Sequence, residues 1–267
     1  MQHQVIGTTM PALEITLDPG EQIVSHTGEL SWMSQAVQLR TTTSMGSNQG
    51  VFGALKRVMG GGSLFLTEYT AQGAPGTVAF CTKVPGHILP VEIAPGRGVL
   101  VHRNGFLCAT HGVTIGVGFQ RRLGSGIFGG EGFVLQRLEG QGTAWVELDG
   151  EVVPYDLGAG EVLRVHPGHV GMFEESVSFD ITMLSGVRNV LFGGEGLFLA
   201  QLSGPGKVWL QTLPLSGLAH ALVPYLPHIS GGESSGNMAG AAATSVAGGV
   251  LGGLFSQVMN NQNQDDS

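Results

Sequence analysis

Three of the nine histidines stand at equivalent places in the chain. Ser25-His26, Val101-His102 and Val165-His166 each close a short apolar run just ahead of a glycine-containing turn. Three imidazoles supplied by three copies of one motif are what a His₃ site with an open fourth position requires, and Zn²⁺ or another borderline metal suits such a set. His26, His102 and His166 are therefore the metal candidates. Structural repetition is the stronger expectation, because duplication of an ancestral module copies a turn histidine that merely bonds local backbone. His169, in His166-Pro-Gly-His169, adds a fourth imidazole, although HxxH on a turn is a weak signal. No HxH occurs, so the cupin metal set is missing.

Other constellations carry less. Glu131 and Glu195 are equivalent and could act as acid and base, but one acid per hairpin turn is more often solvated. Trp145 and Trp209 match in the strand after the turn and read as core anchors, with ligand stacking as the sharper alternative. Gly124-Ser-Gly126-Ile-Phe-Gly129 fits GxGxxG, yet a strand follows where a helix N-terminus must receive the pyrophosphate. Gly232-Glu-Ser234-Ser-Gly236 fits GxSxG but lies in a polar small-residue stretch without the flanking strand and helix. No catalytic residue and no cofactor is assigned; the chain reads as a non-enzyme.

The elements that would position these residues follow from a repeat. Gly129-Gly-Glu-Gly-Phe-Val-Leu-Gln-Arg-Leu138 is echoed 64 residues later by Gly193-Gly-Glu-Gly-Leu-Phe-Leu-Ala-Gln-Leu202, and more loosely earlier by Gly60-Gly-Gly-Ser-Leu-Phe-Leu-Thr-Glu-Tyr69. Between these hairpins recurs a His-bearing unit: Leu17-Asp-Pro-Gly20, Ile93-Ala-Pro-Gly96 and Leu157-Gly-Ala-Gly160, each followed by alternating apolar residues such as Val113, Ile115 and Val117. Period-2 alternation marks strands with one buried face. The 45 glycines among 267 residues suit many tight turns. The expected fold is all-β: three tandem β-roll or β-sandwich repeats (about 51–119, 127–183, and 190–211 plus 15–41) in one domain, 1–228. Closure into a flattened pseudo-threefold ring, with the N-terminal strands completing the third repeat, would remove exposed sheet edges. It places residues 15–41 against 190–211. Ser216–Val223 reads as a short C-terminal helix.

The Gly-Gly-Glu-Gly hairpins, Pro85-Gly-His-Ile-Leu89 and Leu222-Val-Pro-Tyr-Leu-Pro227 resemble the altered-inheritance-of-mitochondria protein 24 family over residues 12–228. The resemblance implies three tandem repeats similar to the subunit of the tryptophan-dependent RNA-binding attenuation protein, and a link to mitochondrial inner-membrane organisation in eukaryotic members. It carries over no catalytic residue and no RNA binding.

Charge and composition narrow the partners. Twelve Lys and Arg face 20 acids, and the nearest approach to a basic cluster is the pair Arg121–Arg122, so nucleic acid is not expected. Cys81 and Cys108 form no CxxC pair and read as free thiols of a reducing compartment. Met1 to Ile15 has no export signal, and a cytoplasmic, prokaryotic relative is expected. The segment 229–267 is a Gly/Ala/Ser-rich tail. Its apolar part, Met238 to Met259, reads as a flexible or partner-docking helix, with membrane contact as the weaker alternative. The function expected is a non-enzymatic scaffold or assembly protein with a protein partner or self-association. The alternative is a small-ligand or metal-binding β protein using the equivalent His and Trp positions.

Overall fold

A computed structural model gives the tertiary arrangement and describes residues 1–42, 66–121, 132–183, 198–222 and Tyr225. Among them the chain is all-β apart from a 3-10 turn (Pro167–His169) and one short helix, α1 (Leu215–Leu222), where the sequence predicts one. Strand β1 (Gln2–Ile6) precedes three runs of six. The first run is β2 (Ala12–Leu17), β3 (Gln22–His26), β4 (Trp32–Met33), β5 (Val37–Thr42), β6 (Leu66–Ala71) and β7 (Gly76–Cys81). The second is β8 (Gly86–Ile93), β9 (Val99–His102), β10 (Phe106–Thr110), β11 (Val113–Arg121), β12 (Phe133–Gly140) and β13 (Gly142–Asp149). The third is β14 (Val152–Leu157), β15 (Val162–Val165), β16 (Val170–Glu174), β17 (Ser178–Met183), β18 (Phe198–Ser203) and β19 (Gly206–Gln211).

Each run folds as one module with the same antiparallel pairing. Its first, sixth and third strands lie side by side, as β2-β7-β4, β8-β13-β10 and β14-β19-β16. Its fourth, fifth and second strands form a second half-sheet, as β5-β6-β3, β11-β12-β9 and β17-β18-β15. Between modules, the second strand of one pairs with the third strand of the next. Val24 of β3 lies opposite Ala109 of β10, and Leu100 of β9 opposite Phe173 of β16. Two six-stranded sheets result, flanked by β1-β2-β7-β4 on one side and β15-β18-β17 on the other.

Three apolar cores separate successive sheets. Leu13, Ile15 and Phe80 of the first sheet meet Ile23, Tyr69 and Trp145 of the second. The other face of the second sheet, with Val24, Phe106 and Val146, meets Val101, Val113 and Met172 of the third. Leu135 and Phe173 on the far face of the third meet Ile181 and Leu202 of the fourth. Ile23 and Val24 thus enter different cores although adjacent, because successive strand side chains point to opposite faces. The turns entering β3, β9 and β15 repeat a glycine at φ +88, +72 and +81 (Gly20, Gly96, Gly160), a left-handed conformation strained for other residues.

The expected placement of the N-terminal strands is corrected. Strands β2 to β5 pair with β6 and β7, the hairpin that follows them, and β3 pairs with β10; none pairs with β18 or β19. The repeat therefore starts with its His-bearing half, and the third module is completed by its own β14 to β17. The physical reason is the local connection: β3 and β6 belong to one half-sheet within one run. The described strands form no closed barrel, and β4 and β15 are each an edge strand of their sheet.

Proline bears on why, among the described residues, the first module alone carries an extra strand. In the pairings with β7, β13 and β19, Glu14 occupies the position held by Pro90 in β8 and Pro154 in β14. Glu14 lies opposite Gln4 of β1 and accepts a 3.0 Å hydrogen bond from its side-chain amide. Proline has no N–H to give a neighbouring strand, so β8 and β14 stay at their sheet edges.

Candidate functional site

The histidine equivalence holds in space as repetition and fails as convergence. His26 ends β3, His102 ends β9 and His166 follows β15, strands of three different sheets. The His102 ring is buried with Nε2 3.1 Å from the Glu147 carbonyl oxygen, and burial lowers its pKa to about 4. Gly105 makes room for that ring, since a Cβ there would stand 2.7 Å from it. His26 is tilted against Phe106 with centroids 5.1 Å apart. Its buried Nε2 has no hydrogen-bond partner, and burial again lowers the pKa to about 4. His166 caps the 3-10 turn by accepting from the Gly168 N–H at 3.3 Å and lies edge-on to His169 with centroids 6.0 Å apart. Burial first, and then His169, lowers its pKa. Among the described residues no three of His, Cys, Asp and Glu are grouped as a metal site needs. The His₃ candidate is thus corrected: each imidazole is positioned by its own turn.

The tryptophans separate in a way their matching sequences do not show. Both lie in the sixth strand of a module, opposite Pro90 and Pro154 respectively, and the first module has Ala79 there. Trp145 is fully buried. His3 of β1 covers it edge-on, with ring centroids 5.2 Å apart and an interplanar angle of 74°. Trp209 is partly exposed and borders an open cleft of about 650 Å³ between the second and third modules. The floor is apolar, from Leu89, Val91, Val99 and Met172, and Arg97, Glu92, Glu174 and Glu175 stand around it. This cleft is the place beside β8 that corresponds to the place β1 fills beside β2.

A second group of polar residues lies between the first and second modules and is invisible to motif reading. Glu147 and Asp149 are buried on β13, and burial pushes their carboxyls up to about 7 and about 6, against the lowering influence of Lys83. Lys83 itself pairs with Glu29 at 2.6 Å. The signal available in the sequence was the spacing Trp145, Glu147, Asp149: alternate residues of one strand share a face, so an acid two places from a core tryptophan is itself directed inward. Cys81 and Cys108 are both free thiols, the second buried. Glu131, Glu195, the GxGxxG and GxSxG matches and the 229–267 tail lie outside the described residues. Among those described, no helix is long and apolar enough to cross a membrane.

Fold and cleft together define an all-β repeat protein whose sheets run across module boundaries. The chain belongs to the family described as mitochondrial biogenesis AIM24, whose model matches residues 3–213. Among solved structures it is similar to protein SPYM3_0169 from Streptococcus pyogenes, with a TM-score of 0.67 and 23% identity over 84% of this chain and 99% of that one. That likeness concerns the fold. No curated protein matches.

Proposed function

We propose that the protein is a non-enzymatic assembly module that associates with further copies of itself by pairing β15 of one copy with β4 of the next. One observation carries this. The junction strands that pair inside the chain are buried, with Cys108 at 0% and Met172 at 1% exposure, whereas Trp32, their counterpart on β4, is 46% exposed. On the complementary edge, Val162 of β15 is 49% exposed. Transferring the register of the two existing junctions sets Val165 opposite Trp32 and Arg164 opposite Met33. Unpaired strand edges with apolar side chains are templates for another strand. The same register within one chain would give the flattened, pseudo-threefold ring that the family resemblance implies; the free edges favour pairing between copies. The free thiols support a reducing, cytoplasmic location, and membrane contact through the 229–267 tail is the weaker alternative to partner docking there.

The test mixes full-length Trp32→Cys with full-length Val165→Cys under mild oxidation. Directly opposed residues of antiparallel strands lie about 4.5–5.5 Å apart, within disulfide reach, so the mixture is expected to give covalent dimers that neither variant gives alone. A monomer at every concentration, with no such dimer, overturns self-association. A disulfide formed only inside the double variant places the junction within one chain and overturns it too.

Small-ligand binding is a second reading, and the open cleft beside Trp209 is what favours it.

A further inference from the structure

We infer that the Trp209 cleft binds an apolar chain ending in a carboxylate, and that Arg97 receives the carboxylate. The inference rests on the small-ligand reading above and names its ligand class. The chain itself shows what the equivalent place at the other junction holds. There β1 runs along β2, lays His3 on Trp145, and brings its positively charged terminus to the turn before β3. The Met1 ammonium donates to Glu21 at 2.8 Å and to Asp18 at 3.2 Å.

At the Trp209 cleft the same turn has the opposite charge. The register of β3, β9 and β15 makes Glu21, Arg97 and Glu161 equivalent. Both glutamates cap their own turns, accepting from the Asp18 N–H at 2.9 Å and the Gly158 N–H at 2.7 Å. A guanidinium has no acceptor and cannot do this. Arg97 is exposed, and no ion pair or side-chain hydrogen bond holds it among the described residues. It is the one module turn of the three with a cation, and among the described residues no strand fills the slot of the junction it borders.

Each of the three carboxylates that border the cleft already has a partner. Glu175 is paired with Arg137 at 3.1 Å, Glu174 accepts the Lys207 N–H at 2.9 Å, and Glu92 accepts the Thr143 hydroxyl at 2.8 Å. The face of Trp209 already has the Lys207 ammonium 5.7 Å from its centre, which disfavours a cationic ligand there. The volume of about 650 Å³ is that of a small-molecule site, and an apolar floor with few polar groups is the usual lining. Pro90 denies a peptide one ladder hydrogen bond along β8, so an aliphatic chain suits the slot better than a strand does.

Calorimetric titration of the full-length protein with decanoate, decylammonium and decanol, each below its micellar concentration, tests this. Decanoate is expected to bind one per chain and more tightly than the other two. Arg97→Glu, which installs the residue both other modules carry at this turn, is expected to weaken decanoate at least about tenfold, the scale of a lost charge-assisted bond, and to raise the affinity for decylammonium. Equal binding of decanoate and decanol, unchanged in Arg97→Glu and lost in Trp209→Ala, overturns the carboxylate assignment while the small-ligand reading stands. No binding of any probe overturns both.

Discussion

His3, on the first strand of the chain, is packed edge-on against Trp145, which lies in the sixth strand of the next module, with centroids 5.2 Å apart. The contact sets the exposed strand β1 against a fully buried tryptophan of the first core. An edge-to-face aromatic pair contributes about 0.5–1.5 kcal/mol beyond its buried area. His3→Ala should therefore lower unfolding stability by about 1 kcal/mol. In a background with Trp32 and Trp209 replaced by Phe, removal of residues 1–6 should shift the remaining tryptophan emission to the red. An unshifted spectrum would show that β1 does not shield Trp145.

Ser25 ties the first junction together. Its buried hydroxyl donates to the Leu107 carbonyl at 2.6 Å, across the pairing of β3 with β10. Ser25→Ala leaves that buried acceptor short of a partner, at a cost of about 1–3 kcal/mol. Urea denaturation should show a lower midpoint with an unchanged slope, since the surface exposed on unfolding is the same.

Gly105→Ala should destabilise the second module by crowding rather than by loss. The added Cβ would meet the His102 ring at 2.7 Å and the side chain of Val101. Both are buried, so neither can withdraw without disturbing the β9 junction. Overpacking of this kind costs about 1–3 kcal/mol, and thermal unfolding reads it directly. Gly116→Ala, where a Cβ meets nothing within 4 Å, is the control and should change little.

Stability should be nearly flat in mildly acidic solution and fall just above it. Glu147 and Asp149, raised by burial to about 7 and about 6 from ordinary values of 4.5 and 3.8, keep protons in the folded chain that the unfolded chain has released. Stability from these two is present at low pH and is lost as pH rises through the folded values. His26 and His102 act with the opposite sign, because the unfolded imidazole takes up a proton below about 6.5 while the folded one stays neutral down to about 4. Between about pH 4.5 and 6.5 the slopes oppose each other; above that the acids act alone, until about pH 7.5. Glu147→Gln should remove most of that upper fall and leave stability rising with pH below 6.5. Parallel wild-type and variant curves across pH 6–8 would exclude Glu147 as the group responsible.

Local residue patterns specify the strands and their repetition. Alternating residues such as Val113 and Ile115 specify a buried face through local geometry alone, and Gly20, Gly96 and Gly160 specify turns through their own φ. The 64-residue offset then made His102 and His166, and Trp145 and Trp209, visibly equivalent. All of this is written in short-range patterns, and all of it holds in the structure.

Which half of a repeat joins which was a tertiary decision. A His-bearing unit pairs equally well, by pattern, with the hairpin before or after it, and only the ladder from β3 to β6 fixed the order. Tertiary structure also separated residues that look alike in sequence. Trp145 is buried with β1 packed against it, and Trp209 borders a cleft because no described strand lies along the outer edge of β8, where Pro90 offers no N–H to one. His26, His102 and His166 share a motif yet sit in three sheets. Glu147 carries no motif at all and is titration-active only because a neighbouring module removes water from it. Local sequence sets which face a side chain takes, whereas its solvent exposure and charge environment come from whatever distant segment packs against that face.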